Sequence, residues 1–401
     1  MERTLPKERL GDLLNLSTRV IESRIAKKTY QTSSTGEVLL TSVRGESIID
    51  DILHAASLPP ERFNVKHGLT VGESFAGAGG MSLGFEQAGF KTQFLVEFDK
   101  HAAATLTLNR PDWHVIQQDI STVDFTPFLG RLDVMAGGFP CQPFSSTGKE
   151  LGFEDTRGTL FHEFARSILE TQPKAFIAEN VVGLIRHDKG NTLKTICQAF
   201  SDIGYTLVAP KVLKAILYKV PQKRERLFLV GFRDDIASNT LFSWPKPCAF
   251  PIYTTKDALA KGKLHNTDVP PSLGAAYQES KKKILQMVPQ GGNWRDLPKD
   301  VQAEYMGGAF NTSGGKTSYA KRLSWDSPCN TLLCTPAQKQ TERCHPDEDR
   351  PLTTREYARI QTFPDNWHFS GGTASIYKQI GNAVPPSLAF SIATSLAKSL
   401  A

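Results

Sequence analysis

Residues 69–80 read LTVGESFAGAGG, a short and mostly apolar run that passes into a cluster of glycines. The run predicts a β-strand, the glycines predict a tight turn, and residues 81–88 have the pattern of a short helix. The same order of strand, turn and helix recurs along the chain as far as about residue 180. Strands that alternate with helices are typical of a parallel, doubly wound α/β sheet.

Polar side chains stand where four of these predicted strands end. They are Glu97, Asp119, Cys141 and Glu179. In doubly wound sheets the ligand binds beyond the carboxyl ends of the strands. We therefore expect these four side chains to converge on one crevice.

The composition is that of an ordinary globular protein. The 401 residues are 40% hydrophobic and 22% charged, so the chain can bury a core and divide into two or three domains. The six cysteines form no CxxC pair, and we expect reduced thiols. The absence of a signal peptide and of any run of 18 apolar residues predicts a cytoplasmic protein without a membrane span. The formal charge of +6 mildly favours a polyanionic partner.

The glycine turn has two of the three glycines of a dinucleotide-binding fingerprint. Gly77 and Gly79 are in place, but Ser82 stands where G-x-G-x-x-G needs the third, which makes an NAD site a weak hypothesis. Glu97, 20 residues after Gly77, can accept the ribose hydroxyls of an adenosine, and Asp119 can meet the adenine amino group. The pattern favours an adenosine without a pyrophosphate, and the alternative is a tight turn with two solvated acids.

The stretch GGFPCQPF at residues 137–144 places Cys141 directly after a predicted strand. A lone cysteine is most often a buried structural thiol. A strand end in a cleft is exposed, however, and Pro140 and Pro143 stiffen the backbone that presents the sulfur. This position therefore favours a reactive cysteine over a structural one.

Six ordered motifs carry a resemblance to a known family. They are FAGAGG at 75–80, GGFPCQPF at 137–144, ENV at 179–181, QKRER at 222–226, REYARIQTFP at 355–364 and GNAV at 381–384. The second resembles the Pro-Cys-Gln motif of the cytosine-5 DNA methyltransferases. The others resemble that family's S-adenosylmethionine loop, its ENV and QxRxR motifs and its two C-terminal motifs. The resemblance covers the chain from about residue 69 to the C-terminus.

The resemblance implies a catalytic role for four residues. Cys141 would be the nucleophile that adds to C6 of a cytosine, and Glu179 would hydrogen-bond N3 and the exocyclic amine. Arg226 would hold O2, and Arg224 would favour the thiolate or a phosphate. Asn180 would orient the loop rather than react.

The resemblance also implies S-adenosylmethionine as the cofactor, with S-adenosylhomocysteine as the product and no metal. The residues expected to bind it are Phe75, Gly77, Gly79, Glu97, Phe98, Asp119, Ile120, Pro140, Asn382 and Val384. Cys329, Cys334 and the Cys344-His345 pair have spacings that match no standard zinc site.

Double-stranded DNA is the expected partner, and the cytosine would have to be flipped out of the duplex. Residues 145–158 would form a lid, with Ser145 and Thr147 near the phosphate backbone. The residues after 233 lose the regular rhythm and would form a target recognition domain, in which Lys316, Arg322 and Thr331 are expected to contact DNA. The identity of the target sequence does not follow from these side chains.

Four regions are expected. They are an N-terminal extension at 1–67, a catalytic and cofactor-binding domain of Rossmann-like α/β fold at 68–233, a smaller irregular or β recognition domain at 234–345, and C-terminal motifs at 346–401 that return to the catalytic domain. The extension has the pattern of two short helices, a hairpin and a third helix. A winged helix-turn-helix would have that order, with Val20, Ile21 and Ile25 packed inwards, but we favour a packing extension over the catalytic domain.

The predicted function is that of a DNA cytosine-5 methyltransferase of a bacterial restriction-modification system. We expect a monomer, with a cognate restriction endonuclease that acts on the same DNA site. A tRNA cytosine-5 methyltransferase of the same superfamily is one alternative. A catalytically inactive DNA-binding relative is the other.

Overall fold

The computed structural model describes residues 4–14, 16, 18–43, 49, 52, 67–140, 159–247, 252–311 and 316–401. Its strands are β1 (Thr4–Leu5), β2 (Val38–Leu39), β3 (Thr70–Ser74), β4 (Lys91–Val96), β5 (Val115–Ile116), β6 (Val134–Gly137), β7 (Ala175–Val181), β8 (Tyr205–Leu207), β9 (Lys211–Lys214), β10 (Gln222–Lys223), β11 (Glu225–Arg233) and β12 (Cys329–Asn330).

Its α-helices are α1 (Lys7–Leu14), α2 (Thr18–Ala26), α3 (Gly80–Gln87), α4 (Lys100–Asn109), α5 (Leu160–Thr171), α6 (Asn191–Asp202), α7 (Asp234–Ala237), α8 (Thr255–Leu259), α9 (Glu279–Gln286), α10 (Lys299–Met306), α11 (Thr354–Ile360), α12 (Thr373–Asn382) and α13 (Pro386–Leu400).

The central sheet has eight strands, with the order β5-β4-β3-β6-β7-β11-β8 and β9 paired to β11. The strands from β5 to β7 are parallel, as predicted. The expectation of a wholly parallel sheet is wrong for β11, which runs antiparallel to β7, β8 and β9. Parallel pairing needs a long crossover, usually a helix, whereas β9 and β11 are joined by ten residues with a single 3-10 turn between them.

Both faces of the sheet are covered, because alternate residues of a strand point to opposite sides. In β6, Val134 and Ala136 join a hydrophobic core with α3 and α13, while Met135 joins a second core with α5 and α6. Gly84 allows α3 to approach α13 closely, because a methyl group there would overlap the side chain of Ala389. The doubly wound arrangement therefore follows from the alternation in the strands.

Residues 234–345, where we predict a recognition region, contain more helix than expected. Their described part includes α7 to α10 and one strand of two residues, β12, which pairs in parallel with β10. A small hydrophobic cluster here includes Leu285, Trp294 and Met306. The described part thus has less strand than expected, and short helices and turns contribute to the cluster around Trp294.

The N-terminal segment forms the two predicted helices, α1 and α2. An antiparallel bridge from Thr32 to Val38 forms the predicted hairpin, and β2 also pairs with β1. The third predicted helix lies mainly outside the described residues. The inward orientation predicted for Val20 is wrong: its side chain is exposed, because the buried stripe of α2 runs through Ile21 and Ile25.

The segment shares a hydrophobic core with the region in which we predict the catalytic domain. Leu10, Leu13 and Ile21 are fully buried in the same cluster as Ile216 and Ile392. Burial of this kind stabilises by about 1.5–3 kcal/mol for each large apolar side chain. The extension is therefore packed against the catalytic domain.

Candidate active site

The glycine turn after β3 depends on left-handed backbone conformations. Gly77 and Gly79 have φ of 55° and 83°, and Phe75 has a φ of 59°. The backbone N–H of Gly77 donates to Glu97 Oε2 over 2.7 Å, and the N–H of Asp99 donates to Oε1 over 2.7 Å. Burial raises the pKa of Glu97, and these two hydrogen bonds oppose the rise. The two backbone N–H groups thus hold the Glu97 carboxyl group beside the glycine turn.

The surroundings of the turn leave room for a ligand. A methyl group at Gly77 would meet no atom within 4 Å. Phe98 is 73% exposed, although it follows a buried strand. Asp119 is also exposed and accepts hydrogen bonds from the backbone and hydroxyl of Ser121, which lower its pKa. Next to it, Ile120 is buried. An open glycine face, an exposed aromatic ring and two carboxyl groups fit an adenosine-containing cofactor.

The C-terminal motif packs against the same turn. A side chain at Gly80 would overlap the carbonyl oxygen of the buried Val384. Asn382 ends α12 with an exposed side chain, whose Oδ1 accepts from Cys334 Sγ over 3.0 Å. The Trp367 indole donates to the carbonyl of Ala78 over 3.1 Å. Residues almost 300 positions apart therefore shape the candidate cofactor site together.

Sequence analysis did not identify Glu73, a buried carboxyl group in β3 beneath the turn. Ser82 donates to its Oε2, and burial raises its pKa to about 8, with a further contribution from Glu97. The only available signal was the acidic residue within an otherwise apolar strand. Ser82, at the position of the missing third glycine, is therefore a hydrogen-bond donor to this acid.

We expect Glu73 to make the stability of the fold depend on pH. Its pKa is higher in the folded than in the unfolded chain, so its contribution is complete below pH 4.5 and is lost as the pH rises to about 8. Between pH 5 and pH 8.5, the wild type should lose roughly 3 kcal/mol of folding free energy through Glu73, and its Tm should fall. The fall in Tm should be smaller in Glu73→Gln. Thermal unfolding at both pH values measures this. Asp112→Asn, at an exposed carboxylate, should keep the wild-type fall, and an equal fall in both variants would contradict the expectation.

The ends of β6 and β7 are tied together next to the predicted nucleophile. Asn180 Nδ2 donates to the carbonyl of Phe139 over 3.0 Å, and Pro140 is exposed. A methyl group at Gly138 would lie 3.0 Å from Glu179 Oε2. Cys141 itself, and the lid residues 145–158 with Ser145 and Thr147, lie outside the described residues. The described chain therefore brings Glu179 close to the backbone that leads to Cys141.

Glu179 forms an ion pair with Arg226 across two antiparallel strands. Arg226 Nε lies 2.7 Å from Glu179 Oε1, and both side chains are largely buried. Burial raises the pKa of Glu179, while the charges of Arg226 and Arg224 lower it. The result is a carboxyl group that keeps its proton to higher pH than an exposed glutamate does.

Arg224 is completely buried and connects distant parts of the chain. Its guanidinium donates to the carbonyls of Leu332 over 3.4 Å and Asn382 over 3.3 Å, while its Nε has no hydrogen-bond partner. Burial lowers its pKa to about 9. The side chain thus joins the QKRER strand to the recognition region and the C-terminal motif. Its predicted role towards the thiolate or a phosphate stays a prediction.

A basic cavity of about 340 Å³ opens beside Arg224 and Arg226. Its lining residues are Val182, Lys214, Ile216, Lys223, Arg224, Glu225, Arg226 and Thr331. Thr331 Oγ1 donates to the carbonyl of Lys223 over 2.6 Å, which holds the recognition region against the catalytic strand. Sequence analysis did not point to Lys214, since a single lysine on a short strand gives no signal.

The prediction that Arg322 contacts DNA is wrong. Its side chain is buried, and its guanidinium donates to the carbonyls of Val288 over 2.9 Å and Leu285 over 2.7 Å and pairs with Asp349. Because these acceptors hold the guanidinium inside the protein, it is not free to enter a DNA groove. Lys316 is half-buried and donates to the carbonyl of Ala309.

Within the described residues, no group of three or more His, Cys, Asp or Glu side chains could hold a metal ion. Across the same part of the chain, no helix has the length and apolar character needed to cross a membrane.

Comparison with known proteins agrees with this geometry. The family profile of the C-5 cytosine-specific DNA methylases matches residues 69–398. The chain is 60% identical to the Type II methyltransferase M.Eco47II of Escherichia coli, over 82% of this chain and 78% of that protein. It is 57% identical to M.PspPI of Psychrobacter over 82% and 79%, and 48% identical to M.Sau96I of Staphylococcus aureus over 81% and 74%.

Solved structures share the fold. A structure described as a DNA modification methyltransferase from an E. coli prophage superposes with a TM-score of 0.60 at 25% identity, covering 83% of this chain and 99% of that one. The Dnmt2 methyltransferase of S. pombe superposes with a TM-score of 0.53 at 16% identity, covering 83% and 99%, and supports the fold alone. The profile match and the close relatives show that the chain belongs to the C-5 cytosine-specific DNA methylase family.

Proposed function

We propose that this DNA cytosine-5 methyltransferase acts on a flipped-out cytosine in a specific duplex sequence, with Cys141 as the nucleophile. The observation that carries the proposal is the buried pair of Glu179 and Arg226, 2.7 Å apart, beside the backbone that leads to Cys141. Asn180 holds that backbone through the carbonyl of Phe139. An acid and a cation thus lie beside the strand end that leads to the proposed nucleophile, as the chemistry requires.

The role of Cys141 is to activate C5 of the cytosine. Its thiolate adds to C6 and forms an S–C6 bond, which moves the electron pair of the C5–C6 double bond to C5. S-adenosylmethionine, when bound, would supply the electrophilic methyl group to C5 and leave as S-adenosylhomocysteine. After methylation a base removes the C5 proton, the double bond re-forms, and the S–C6 bond breaks to release the thiolate. Atoms and charge balance without a metal or an oxidant.

Glu179 and Arg226 would stabilise the charge that develops on the ring. In its protonated form, which burial favours, Glu179 would donate to N3, while its other oxygen would accept from the exocyclic amine. Arg226 would hold O2 and keep the acid oriented. Preorganised groups of this kind lower the barrier because they need little rearrangement as the thiolate adds.

The residues around the glycine turn would hold the cofactor. Glu97 would accept the ribose hydroxyls and Asp119 would meet the adenine amino group, with the exposed ring of Phe98 beside them. Gly77 leaves open space for the approach. Pro140, Asn382 and the remaining cofactor residues of the sequence analysis would complete the site.

Glu97→Ala should weaken S-adenosylmethionine binding by about 1–3 kcal/mol, the usual result of leaving buried polar groups without a partner. The loss also removes the acceptor of the Gly77 and Asp99 N–H groups. Asp119→Ala should have a smaller effect, because that carboxylate is exposed. Isothermal titration calorimetry measures both. Unchanged affinity in both variants would place the adenosine elsewhere.

We further propose that the enzyme protects DNA in a restriction-modification system, as a cytoplasmic monomer. The names of the relatives, which are Type II methyltransferases, support this role. A cognate endonuclease would cut the same site without needing to bind this chain. A single flipped base needs only one catalytic subunit.

A transfer assay tests the proposal. Tritiated S-adenosylmethionine is offered with unmethylated plasmid DNA and, in parallel, with tRNA. We expect label in DNA at C5 of cytosine and none in tRNA, and bisulfite sequencing of the product would identify the target. Label in tRNA alone would favour the RNA-methylating alternative, and label in neither would favour an inactive DNA-binding relative.

A further inference from the structure

One lysine connects the N-terminal segment to the candidate active site. Lys214, the last residue of β9, donates from Nζ to the carbonyl of Leu13 over 2.8 Å. The last carbonyls of a helix have no partner within the helix, and the negative end of its dipole attracts a cation. The last turn of α1 has no basic residue of its own. Lys214 therefore caps α1 from the neighbouring strand.

The same ammonium group contacts the catalytic strand. Lys214 and Glu225 are cross-strand partners in the β9–β11 ladder, and Nζ lies 3.3 Å from Glu225 Oε1. The carbonyl of Glu225 accepts from Arg226 Nη1 over 2.8 Å. Arg226 Nε in turn contacts Glu179 at 2.7 Å. The contacts thus run without a break from α1 to the buried acid.

We infer that Lys214 is a positioning residue for methyl transfer, and that the N-terminal helix α1 supports the Glu179–Arg226 pair through it. The inference rests on the proposed function of that pair. Glu225 directly precedes Arg226, and its side chain is 37% exposed. Successive residues of a strand point to opposite faces, so the Glu225 carboxylate lies with Lys214 while its backbone carbonyl accepts from Arg226. By holding Glu225, Lys214 fixes the start of β11, from which Arg226 reaches Glu179.

Lys214→Met tests the link, because the substitution removes the charge and the donor but keeps an unbranched apolar side chain. Methyl transfer is measured under single turnover with excess enzyme on unmethylated plasmid DNA, and S-adenosylmethionine binding is measured by calorimetry. We expect the transfer rate to fall about tenfold, with cofactor affinity within about twofold of the wild type. Lys214→Arg should restore most of the rate. Lys91→Met, at an exposed lysine where β4 begins, is the matched control.

Three results would overturn the inference. The first is a Lys214→Met rate within about twofold of the wild type. The second is that Lys214→Met lowers the transfer rate, the cofactor affinity and the Tm together, and that Lys214→Arg does not restore them. Lost packing alone would produce that result. If Lys214→Met does not fold, Glu225→Ala removes the carboxylate from this contact while Lys214 still caps α1, and it should also lower transfer. A wild-type rate in Glu225→Ala is the third. The proposed function itself fails separately, if the wild type transfers no label to DNA.

Discussion

Cys141→Ser should abolish methyl transfer, lowering the rate by roughly 10⁴-fold or more. A serine hydroxyl is almost wholly protonated near neutral pH and is a much weaker nucleophile than a thiolate. S-adenosylmethionine affinity should stay close to that of the wild type, because Cys141 is not among the predicted cofactor contacts. The tritium transfer assay and calorimetry measure the two quantities. Retained turnover would refute the nucleophile assignment.

The matched control is Cys197→Ser. Cys197 lies on α6, and burial raises its pKa to about 11, so it is not a reactive thiolate. This variant should methylate like the wild type. With DNA that contains 5-fluorocytosine at the target, the stalled covalent adduct should map to Cys141, because fluorine does not leave as a proton does. An adduct on any other cysteine would contradict the mechanism.

Glu179→Gln should lower methyl transfer by roughly 10²–10⁴-fold, the usual contribution of a general acid. The amide is similar in shape but cannot supply a proton to N3. In the wild type, burial raises the pKa of Glu179, so the protonated form persists to higher pH than in an exposed glutamate. We expect the wild-type rate to fall as the pH rises through this pKa. The glutamine variant should lack that fall.

A pH–rate profile under single turnover provides the measurement. Asp112→Asn changes an exposed carboxylate in the turn between α4 and β5, and it should keep the wild-type rate and profile. Calorimetry should show unchanged cofactor binding in both variants. A Glu179→Gln enzyme with near wild-type rate would mean that another group protonates or orients the ring.

Local sequence was sufficient for the elements that surround the site. The alternation of strand, glycine turn and helix predicted β3, α3 and the parallel direction of the strands from β5 to β7. Local sequence is sufficient for this because periodicity and turn chemistry act over a few residues. Placing Glu97 and Glu179 at the ends of strands needed only the rule that ligands bind at the carboxyl edge. The two N-terminal helices were predicted for the same reason.

Several features depend on contacts between residues far apart in the chain. The antiparallel placement of β11 brings Arg226 beside Val181, and no local pattern in β11 specifies its direction. Arg322 appeared as a free cation in the sequence, but carbonyls of the recognition region surround it. Whether a charged side chain is exposed is decided by what packs around it, and this information is spread over the whole chain.

The sequence by itself determined the family and the class of reaction, because the motifs are contiguous and ordered, and the same motifs predict the reactive groups. Only the tertiary structure decided the pKa values and the contacts of the buried groups. The raised pKa values of Glu73 and Glu179 come from burial, and burial depends on packing. The contact of Lys214 with Leu13 joins residues 201 positions apart. Side-chain identity is local, whereas desolvation and long-range hydrogen bonds exist only once the chain has folded.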